Sequence, residues 1–291
     1  MSAIRETPGK KLRREFANGP VAIPGVFNAL TAKLAASKGF RVLYQSGAAL
    51  SAGWAGLPDI GLVTQTEFAE QARYLTQAVD VPIISDADTG FGEALAVQRT
   101  VQLFESAGLA GLHIEDQVMP KRCGHLSGKS LIGTDEMARK IRAAVAARSD
   151  ADFVIIARTD ARSVEGFSAA VERANAYRDA GADVIFPEAL ESREEFGEFA
   201  RQVSGTLLAN MTEFGKSPLL SVAELGSLGY AGVLFPVTLL RAAMHAASHL
   251  LDEIAAHGTQ QRRLGEMLTR AELYELLGYQ DYEARDRSFF S

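Results

Sequence analysis

The sequence contains one cysteine, no long apolar run and no excess of positive charge, and each absence excludes a class of protein. One cysteine among 291 residues cannot form an internal disulfide, which excludes a small disulfide-supported fold. No segment reaches the ~20 consecutive apolar residues of a membrane span, and residues 1–16 lack the apolar core of a signal peptide. The net charge of -6 and the pI near 5.5 argue against binding to nucleic acid or an anionic membrane. We expect a cytoplasmic protein.

Short apolar segments recur along the chain and are typical of buried β-strands. Their hydrophobicity is nearly continuous rather than alternating, which indicates strands covered on both faces, as in parallel sheets. They lie at residues 21–27, 42–47, 81–88, 111–116, 153–160, 182–189, 206–213 and 231–237. Alanine-rich, charged segments with helical spacing separate them. Eight strands alternating with helices over about 220 residues predict an α/β fold, the (β/α)8 TIM barrel.

An open, doubly wound sheet is the main alternative to a barrel, because it also uses a series of buried strands. The first strand, however, runs into PGVFNALTAK and not into the GxGxxG of dinucleotide-binding sheets. No low-complexity linker divides the chain, so we expect one domain over residues 1–291. Two helical segments follow the eighth strand, at about 238–257 and 259–277. One of them closes the barrel, and the surplus one can dock on a neighbouring subunit.

Polar side chains follow most of the predicted strands at their carboxyl ends, where barrels of this kind place their chemistry. A solvated barrel rim would also be polar, but it would not place carboxylates so regularly at the last inward-facing positions of the strands. These residues are Tyr44, Ser46 and Gly47 after the second strand, Asp86 and Asp88 after the third, Glu115 and Asp116 after the fourth, Arg158 and Asp160 after the fifth, Glu188 after the sixth, and Asn210 and Thr212 after the seventh. We predict that they converge on one polar mouth.

Asp86, Asp88 and Glu115 form the predicted metal site. Because Asp86 and Asp88 are two residues apart on a strand, we expect both to point to the same face. Together with Glu115 of the next strand they offer only oxygen ligands, which suit Mg²⁺, or Mn²⁺, better than zinc. The alternative is that these carboxylates cap the following helix or pair with Arg158.

The only cysteine, Cys123, lies among Lys121, Arg122, Gly124 and His125 in a polar segment. Positive neighbours lower the pKa of a thiol toward neutrality, which suits proton transfer. Most single cysteines are small buried hydrophobes, but a polar, glycine-containing loop is a poor setting for that role. A zinc site is disfavoured because the chain has no CxxC partner. A nucleophilic thiol with His125 as its base remains an alternative.

Three arginines are candidates for binding a carboxylate, because a guanidinium group matches a carboxylate with two parallel hydrogen bonds. Arg158 has the strongest position, at the end of a predicted strand. Arg241 and Arg270 lie in helical segments, where spacing alone favours a solvated helix face.

Six motifs together resemble those of the isocitrate lyase/phosphoenolpyruvate mutase superfamily. They are SDADTGFG at 85–92, GLHIEDQ at 111–117, PKRCGH at 120–125, IARTDA at 156–161, FPEA at 186–189 and LANMTEFGKSP at 208–218. The likeness runs from about residue 8 to 284. Within the superfamily it is strongest to the 2-methylisocitrate lyases of the methylcitrate cycle, which serves propionate catabolism.

The resemblance implies a homotetramer of barrels in which a late helix is exchanged between partners. It also implies Mg²⁺ held around Asp86 and Asp88, with Glu115 nearby and partly through water, and a small di- or tricarboxylate substrate. The implied substrate contacts are Ser46, Gly47, Ala48, Cys123, Gly124, Arg158, Glu188, Asn210, Thr212, Arg241 and Arg270. Similar lyases often have SGG where this chain has Ser46, Gly47 and Ala48. We expect the added methyl group to narrow the substrate site slightly.

The implied reaction is a reversible carbon–carbon cleavage of 2-methylisocitrate to pyruvate and succinate. Tyr44 is the candidate base for the substrate hydroxyl, and Cys123 is the acid that protonates the resulting carbanion. Lys121, Arg122 and His125, in the same loop as the thiol, stabilise the negative charge that develops.

Phe186 and Leu234 form the predicted apolar niche for the extra methyl group of this substrate. Similar isocitrate lyases have a bulkier tryptophan near position 186. One methyl group contributes only about 1–3 kcal/mol of discrimination, so isocitrate, 2,3-dimethylmalate and oxaloacetate are alternative substrates. A catalytically silent barrel that senses a dicarboxylate is the alternative from another class, and the metal cluster and Cys123 argue against it.

Overall fold

The computed structural model describes residues 6–122, 124 and 128–290 of the chain. Its strands are β1 (Val21–Val26), β2 (Leu43–Gln45), β3 (Ile83–Asp86), β4 (Gly111–Glu115), β5 (Val154–Thr159), β6 (Val184–Pro187), β7 (Thr206–Asn210) and β8 (Tyr230–Phe235). Within these described residues, the eight strands are parallel and pair in chain order, and β8 pairs with β1 to close the barrel. The predicted (β/α)8 fold is confirmed.

Helices surround the barrel and extend beyond it. They are α1 (Pro8–Ala17), α2 (Ala29–Ser37), α3 (Gly47–Ala55), α4 (Gln65–Ala78), α5 (Ala94–Ser106), α6 (Thr134–Ala147), α7 (Phe167–Asp179), α8 (Arg193–Gln202), α9 (Val222–Ser227), α10 (Thr238–His257), α11 (Arg270–Leu277) and α12 (Tyr279–Ser288). Several begin at side-chain caps that the sequence encodes. In α4, for example, Thr64 accepts from the Glu67 N–H, while the Glu67 carboxylate accepts from the Thr64 N–H.

Two apolar layers explain why the strand segments are almost continuously hydrophobic. Inward residues such as Ile23, Ile156 and Leu208 fill the barrel interior, and Leu12 of α1 packs into the same cluster from the amino end. Outward residues pack against the surrounding helices in a second, larger cluster. Since both faces of each strand are buried, polar groups are concentrated at the carboxyl ends, where the interior opens.

The segment after β8 packs less closely than the barrel. All of α10 is described, and Leu240 is its only buried residue. The predicted helix at 259–277 is interrupted: Gln261–Glu266 forms a 3₁₀ turn, and α11 starts where Thr269 accepts from the Glu272 N–H. Large apolar side chains exposed in this segment are Met244, Leu251, Ile254, Leu264, Leu268, Tyr274, Leu277, Tyr279, Tyr282, Phe289 and Phe290. Exchange of a late helix between subunits stays a prediction.

Among the helices of the described ranges, none combines the length and the apolar character needed to cross a membrane.

Candidate active site

The carboxyl ends of the strands enclose a cavity of about 170 Å³, and most of the predicted site residues line it. Those on its wall are Tyr44, Ser46, Ala48, Asp86, Glu115, Lys121, Arg122, Gly124, Arg158, Phe186, Glu188, Asn210, Thr212, Leu234 and Arg241. Asp88 and Gly47 lie next to these residues, against Lys121 and Asp86 respectively. Cys123 and His125 lie outside the described residues.

Strand β3 delivers Asp86 to the cavity, but Asp88 does not continue the strand as predicted. The strand ends at Asp86, and the backbone of Asp88 turns into the left-handed region at φ 47°. The Asp88 N–H donates to Asp86 Oδ1 at 2.9 Å, which stabilises this turn. Gly47 allows the Asp86 carboxylate to approach closely, because a Cβ at Gly47 would lie 2.9 Å from Asp86 Cγ. A turn, and not strand alternation, therefore keeps the two carboxylates near each other.

The carboxylates predicted to bind a metal are buried and only partly paired. Glu115 Oε2 lies 3.3 Å from Arg158 Nε, while Glu115 Oε1 has no hydrogen-bond partner among the described residues. A buried carboxylate oxygen without a partner is costly, so a cation beside it would stabilise the site. In the described part of the chain, no three His, Cys, Asp or Glu side chains converge as direct ligands. The site fits Mg²⁺, which often binds one or two carboxylates and keeps several waters.

Burial and neighbouring charges shift the pKa values of these carboxyl groups. Burial raises the pKa of Asp88 to about 7, although Lys121 opposes this shift. Burial also raises the pKa of Glu115 well above its usual range, against the effect of Arg158. Burial acts on Asp86 in the same direction, but the surrounding positive charge of Lys121 and Arg158 helps bring the pKa of Asp86 below its usual value. A bound cation would favour the charged form of all three groups.

Arg158, at the end of β5, is the central cation of the cavity wall. Its Nε and Nη2 atoms donate to the Asp160 carboxylate at 2.9 and 3.1 Å. Its guanidinium group also lies 3.3 Å from Glu188 Oε2 and 5.3 Å above the Phe186 ring. Burial opposes its charge, but Asp160, Glu115 and Glu188 raise its pKa well above the usual value. Arg158 is thus a permanent positive charge beside an apolar ring.

The segment after β4 supplies two further cations, as the loop sequence predicted. Lys121 is buried, and its Nζ pairs with Asp88 Oδ1 at 2.8 Å and with Asp59. The Gln117 side chain accepts from the Arg122 N–H and donates to the Arg122 carbonyl, both at 2.9 Å. These contacts fix the backbone at Arg122 and hold the Lys121 ammonium group beside the carboxylates.

Two residues of this region, Asp59 and Lys129, were not predicted from the sequence. Asp59 follows α3, in the loop after the second strand, and lines the cavity. Its position in a βα loop was the available signal, because these loops carry the chemistry of barrels. Lys129 pairs with Asp160 at 2.7 Å. A lone lysine in a loop has no pattern that separates it from a solvated one.

Tyr44, the predicted base, lies beside His113. Its hydroxyl is 2.8 Å from His113 Nε2 and 3.4 Å from Asp86 Oδ2. Burial, and then the charge of Asp86, raise the pKa of the Tyr44 phenol well above its usual value. Burial lowers the pKa of His113 to about 4. At neutral pH the pair is a protonated phenol and a neutral imidazole.

The two helical arginines differ in position. Arg241 reaches the cavity from the first turn of α10, where its Nη1 donates to Thr212 Oγ1 at 3.3 Å and to Glu213 Oε2 at 2.6 Å. Arg270 is exposed at the start of α11, which packs against α2, and it does not line the cavity of its own chain. A substrate contact from Arg270 would have to come from another subunit, and it stays a prediction.

Comparisons with known proteins add a second line of observation. The family described as phosphoenolpyruvate phosphomutase matches residues 11–255. A relative from Aeropyrum pernix named 2-methylisocitrate lyase is 55% identical over 97% of this chain and 91% of its own length. A crystal structure of 2,3-dimethylmalate lyase is 37% identical, with a TM-score of 0.92 over 98% of this chain and 96% of that one. A phosphonopyruvate hydrolase solved with oxalate and Mg²⁺ is 30% identical, with a TM-score of 0.89 over 98% and 100% of the two chains.

Proposed function

This chain belongs to the phosphoenolpyruvate mutase/isocitrate lyase superfamily, and from that premise we propose that it cleaves 2-methylisocitrate to pyruvate and succinate. Several curated relatives at 43–55% identity are named 2-methylisocitrate lyase, which supports this choice of substrate. Such a lyase would serve propionate catabolism through the methylcitrate cycle.

The observation that best supports the proposal is the chemistry of the cavity wall. Arg158 offers a permanent charge for a substrate carboxylate, and Asp86 and Glu115 offer oxygen ligands for a cation. The side chains of Phe186 and Leu234 are also on this wall and provide an apolar surface for a methyl group. 2-Methylisocitrate has the matching groups: carboxylates, a hydroxyl and one methyl group on the carbon that becomes the pyruvate carbonyl.

Substrate carboxylates have a second place to bind at the start of α3. Ser46 caps this helix by accepting from the Ala49 N–H at 3.2 Å. The first N–H groups of an α-helix lack partners within the helix and favour anions. We assign Gly47 and Ala48 to this role, and the remaining substrate contacts to Gly124, Glu188, Asn210, Thr212 and Arg241.

The proposed metal is Mg²⁺, held by Asp86 and Glu115 with Asp88 nearby, with Mn²⁺ as a substitute. It would supply a Lewis acid that favours loss of the substrate hydroxyl proton. Loss of that proton turns the hydroxyl-bearing carbon into the pyruvate carbonyl as the carbon–carbon bond breaks. The bonding electron pair stays on the neighbouring carbon, which takes up one proton to give succinate, so no water is consumed.

Tyr44 is the proposed acceptor of the hydroxyl proton. Because its phenol is protonated at neutral pH, it can accept only while passing its own proton to His113 Nε2, 2.8 Å away. The proton that completes succinate is assigned to the Cys123 thiol on the sequence argument. Lys121 and Arg122 supply positive charge next to the developing carbanion.

We further propose that the enzyme works in the cytoplasm as a homotetramer. The apolar side chains exposed on α10 and after it, such as Met244, Leu251 and Leu264, are the surface that a neighbouring subunit would cover. Light scattering of the purified protein measures the assembly. A monomeric protein would contradict the proposed homotetramer, and the proposed reaction would be unaffected by that result.

The test of the proposed function is Mg²⁺-dependent release of a keto acid from 2-methylisocitrate, beside isocitrate and 2,3-dimethylmalate as competitors. We expect a clear preference for 2-methylisocitrate that is abolished by EDTA and restored by Mg²⁺. A preference for 2,3-dimethylmalate would make that acid the substrate and exclude the proposed one. Binding of these acids without cleavage would favour the alternative of a barrel that senses a dicarboxylate. An assay with oxaloacetate would test the remaining alternative substrate.

A further inference from the structure

Lys129 is a buried lysine to which the proposed reaction gives no role. Its side chain is 1% exposed. Its Nζ donates to Asp160 Oδ1 at 2.7 Å and to the backbone carbonyl of Gly124. A lysine is rarely buried so completely, and the cost of removing the ammonium group from water must be offset by these two acceptors.

The first acceptor, Asp160, is shared between Lys129 and Arg158. Both of its oxygens accept from the guanidinium group, and Oδ1 also accepts from Lys129. The backbone is fixed at this point, because the Asp160 N–H donates to Asp116 Oδ1 at 2.9 Å. Without Lys129, Arg158 would be the one cation among the described residues that balances Asp160, and Asp160 would hold the guanidinium group more strongly.

The second acceptor, Gly124, packs directly against the binding residues. A Cβ at this position would lie 2.5 Å from Arg158 Nη2 and 2.7 Å from Glu188 Cδ. No side chain can be accommodated there unless Arg158 or Glu188 moves. The hydrogen bond from Lys129 to the Gly124 carbonyl therefore keeps this backbone in contact with Arg158 and Glu188.

We infer that Lys129 is a positioning residue: through Asp160 and Gly124 it keeps the Arg158 guanidinium group in place and available to a substrate carboxylate. A substrate carboxylate must compete with Asp160, Glu115 and Glu188 for Arg158. Lys129 weakens this competition by neutralising Asp160. The identity of the substrate rests on the proposed function, whereas the contacts of Lys129 do not.

The experiment compares the full-length wild-type protein with Lys129→Met and Lys129→Arg. Arg148→Met is the matched control, because Arg148 also donates to one carboxylate, that of Asp183 at 2.7 Å, and to one backbone carbonyl, that of Phe153 at 2.9 Å. These contacts lie at the amino end of β5, which is the end of the barrel opposite the cavity. Two rates are measured: turnover of 2-methylisocitrate, and alkylation of the thiol by iodoacetamide without substrate. The chain has one cysteine, Cys123, next to Gly124 in sequence, so alkylation is sensitive to this backbone without requiring turnover.

Lys129→Met should raise KM about tenfold, because Asp160 then competes more strongly with the substrate for Arg158. It should also speed alkylation about tenfold, because the Gly124 carbonyl loses its hydrogen bond from Lys129. Lys129→Arg keeps a charged donor for Asp160 and the Gly124 carbonyl, so both values should stay within about threefold of wild type. Arg148→Met should change neither, even where it lowers the free energy of unfolding. Wild-type KM and alkylation rates in Lys129→Met would overturn the inference.

If Lys129→Met does not fold, Lys129→Gln replaces it, since the amide keeps a donor and loses the charge. A KM increase of about tenfold would support the inference, and a wild-type KM would overturn it. If wild-type protein cleaves none of the acids, the proposed function fails. The alkylation rates would then still decide whether Lys129 holds the Gly124 backbone.

Discussion

Glu115 and Asp116 are neighbours at the end of β4, and both carboxylates are buried, yet their surroundings differ. The Asp116 carboxylate accepts from the Asp160 N–H at 2.9 Å and from Thr159 Oγ1 and the Tyr177 hydroxyl at 2.8 Å each. The Arg173 guanidinium group lies 3.5 Å from it as well. Glu115 lies 3.3 Å from Arg158 Nε and leaves its second oxygen without a partner among the described residues.

The difference follows from the alternation of side chains along the chain. Glu115 faces the cavity, and Asp116 faces the layer between the barrel and α7. A buried polar network in which every acceptor is used rigidifies the fold, whereas an incomplete one is costly unless a ligand completes it. For these two carboxylates, burial does not distinguish the structural group from the candidate functional one, but the completeness of their hydrogen bonding does.

The largest expected effect is on turnover, from Glu115→Gln. The amide removes charge where the metal and the substrate are proposed to bind, so turnover should fall about 1,000-fold. The free energy of unfolding should change little, because burial already disfavours the charged form of Glu115 and Arg158 keeps Asp160 and Glu188 as partners. Steady-state kinetics and urea unfolding check both statements. Turnover within tenfold of wild type would show that Glu115 is not part of the reactive site.

The same carboxylate-to-amide change at the next residue, Asp116, should mainly lower the free energy of unfolding. Asp116→Asn replaces an acceptor by an NH₂ group that faces the donors Tyr177 and Thr159, which should cost about 3 kcal/mol of unfolding free energy. Urea unfolding measures this cost, and turnover measured at low temperature should fall far less than in Glu115→Gln. Wild-type stability in Asp116→Asn would contradict the structural role that we give to Asp116.

Asp160 contacts both Asp116 and Arg158, and its contribution to the free energy of unfolding depends on pH. Burial raises its pKa, but Arg158 and Lys129 outweigh burial and lower the pKa to about 2, from 3.8. Because the folded-state pKa is the lower one, the stabilisation is present above about pH 4 and is lost as the pH falls toward 2. It amounts to about 2 kcal/mol. Urea unfolding between pH 5 and 2 should show a shallower loss in Asp160→Asn, and parallel curves for the two proteins would contradict the assignment.

The smallest effect is expected from Tyr177→Phe, which removes one of the donors to Asp116 and leaves the ring packed. The loss should be about 1 kcal/mol in unfolding free energy, with turnover unchanged. A Tyr177→Phe protein with wild-type stability but reduced turnover would place the Asp116 network in the reactive site.

The barrel and the cation-rich part of its mouth were predictable because their signals are local. Runs such as FVIIARTD at 153–160 encode a doubly buried strand followed by Arg158 and Asp160 at its carboxyl end. The position of Asp88 near Asp86 was predicted for the wrong geometric reason, since the strand ends at Asp86 and Asp88 lies in a turn. Asp59 had only its place in a βα loop as a signal, and Lys129 had none, because their contacts are with Lys121 and Asp160, which are 62 and 31 residues away.

The sequence by itself determined the order of strands and helices, the carboxylates and arginines at the strand ends, and the polar loop around residue 123. Periodicity and capping act over a few residues, so they can be read along the chain. Only the tertiary structure decided which of these charges are neutralised. It paired Asp116 fully, left one oxygen of Glu115 without a partner among the residues that the structure describes, and placed Lys129 between Asp160 and Gly124. Those pairings form when the barrel closes, because the free energy of a buried charge depends on partners that only the closed barrel brings within hydrogen-bonding distance.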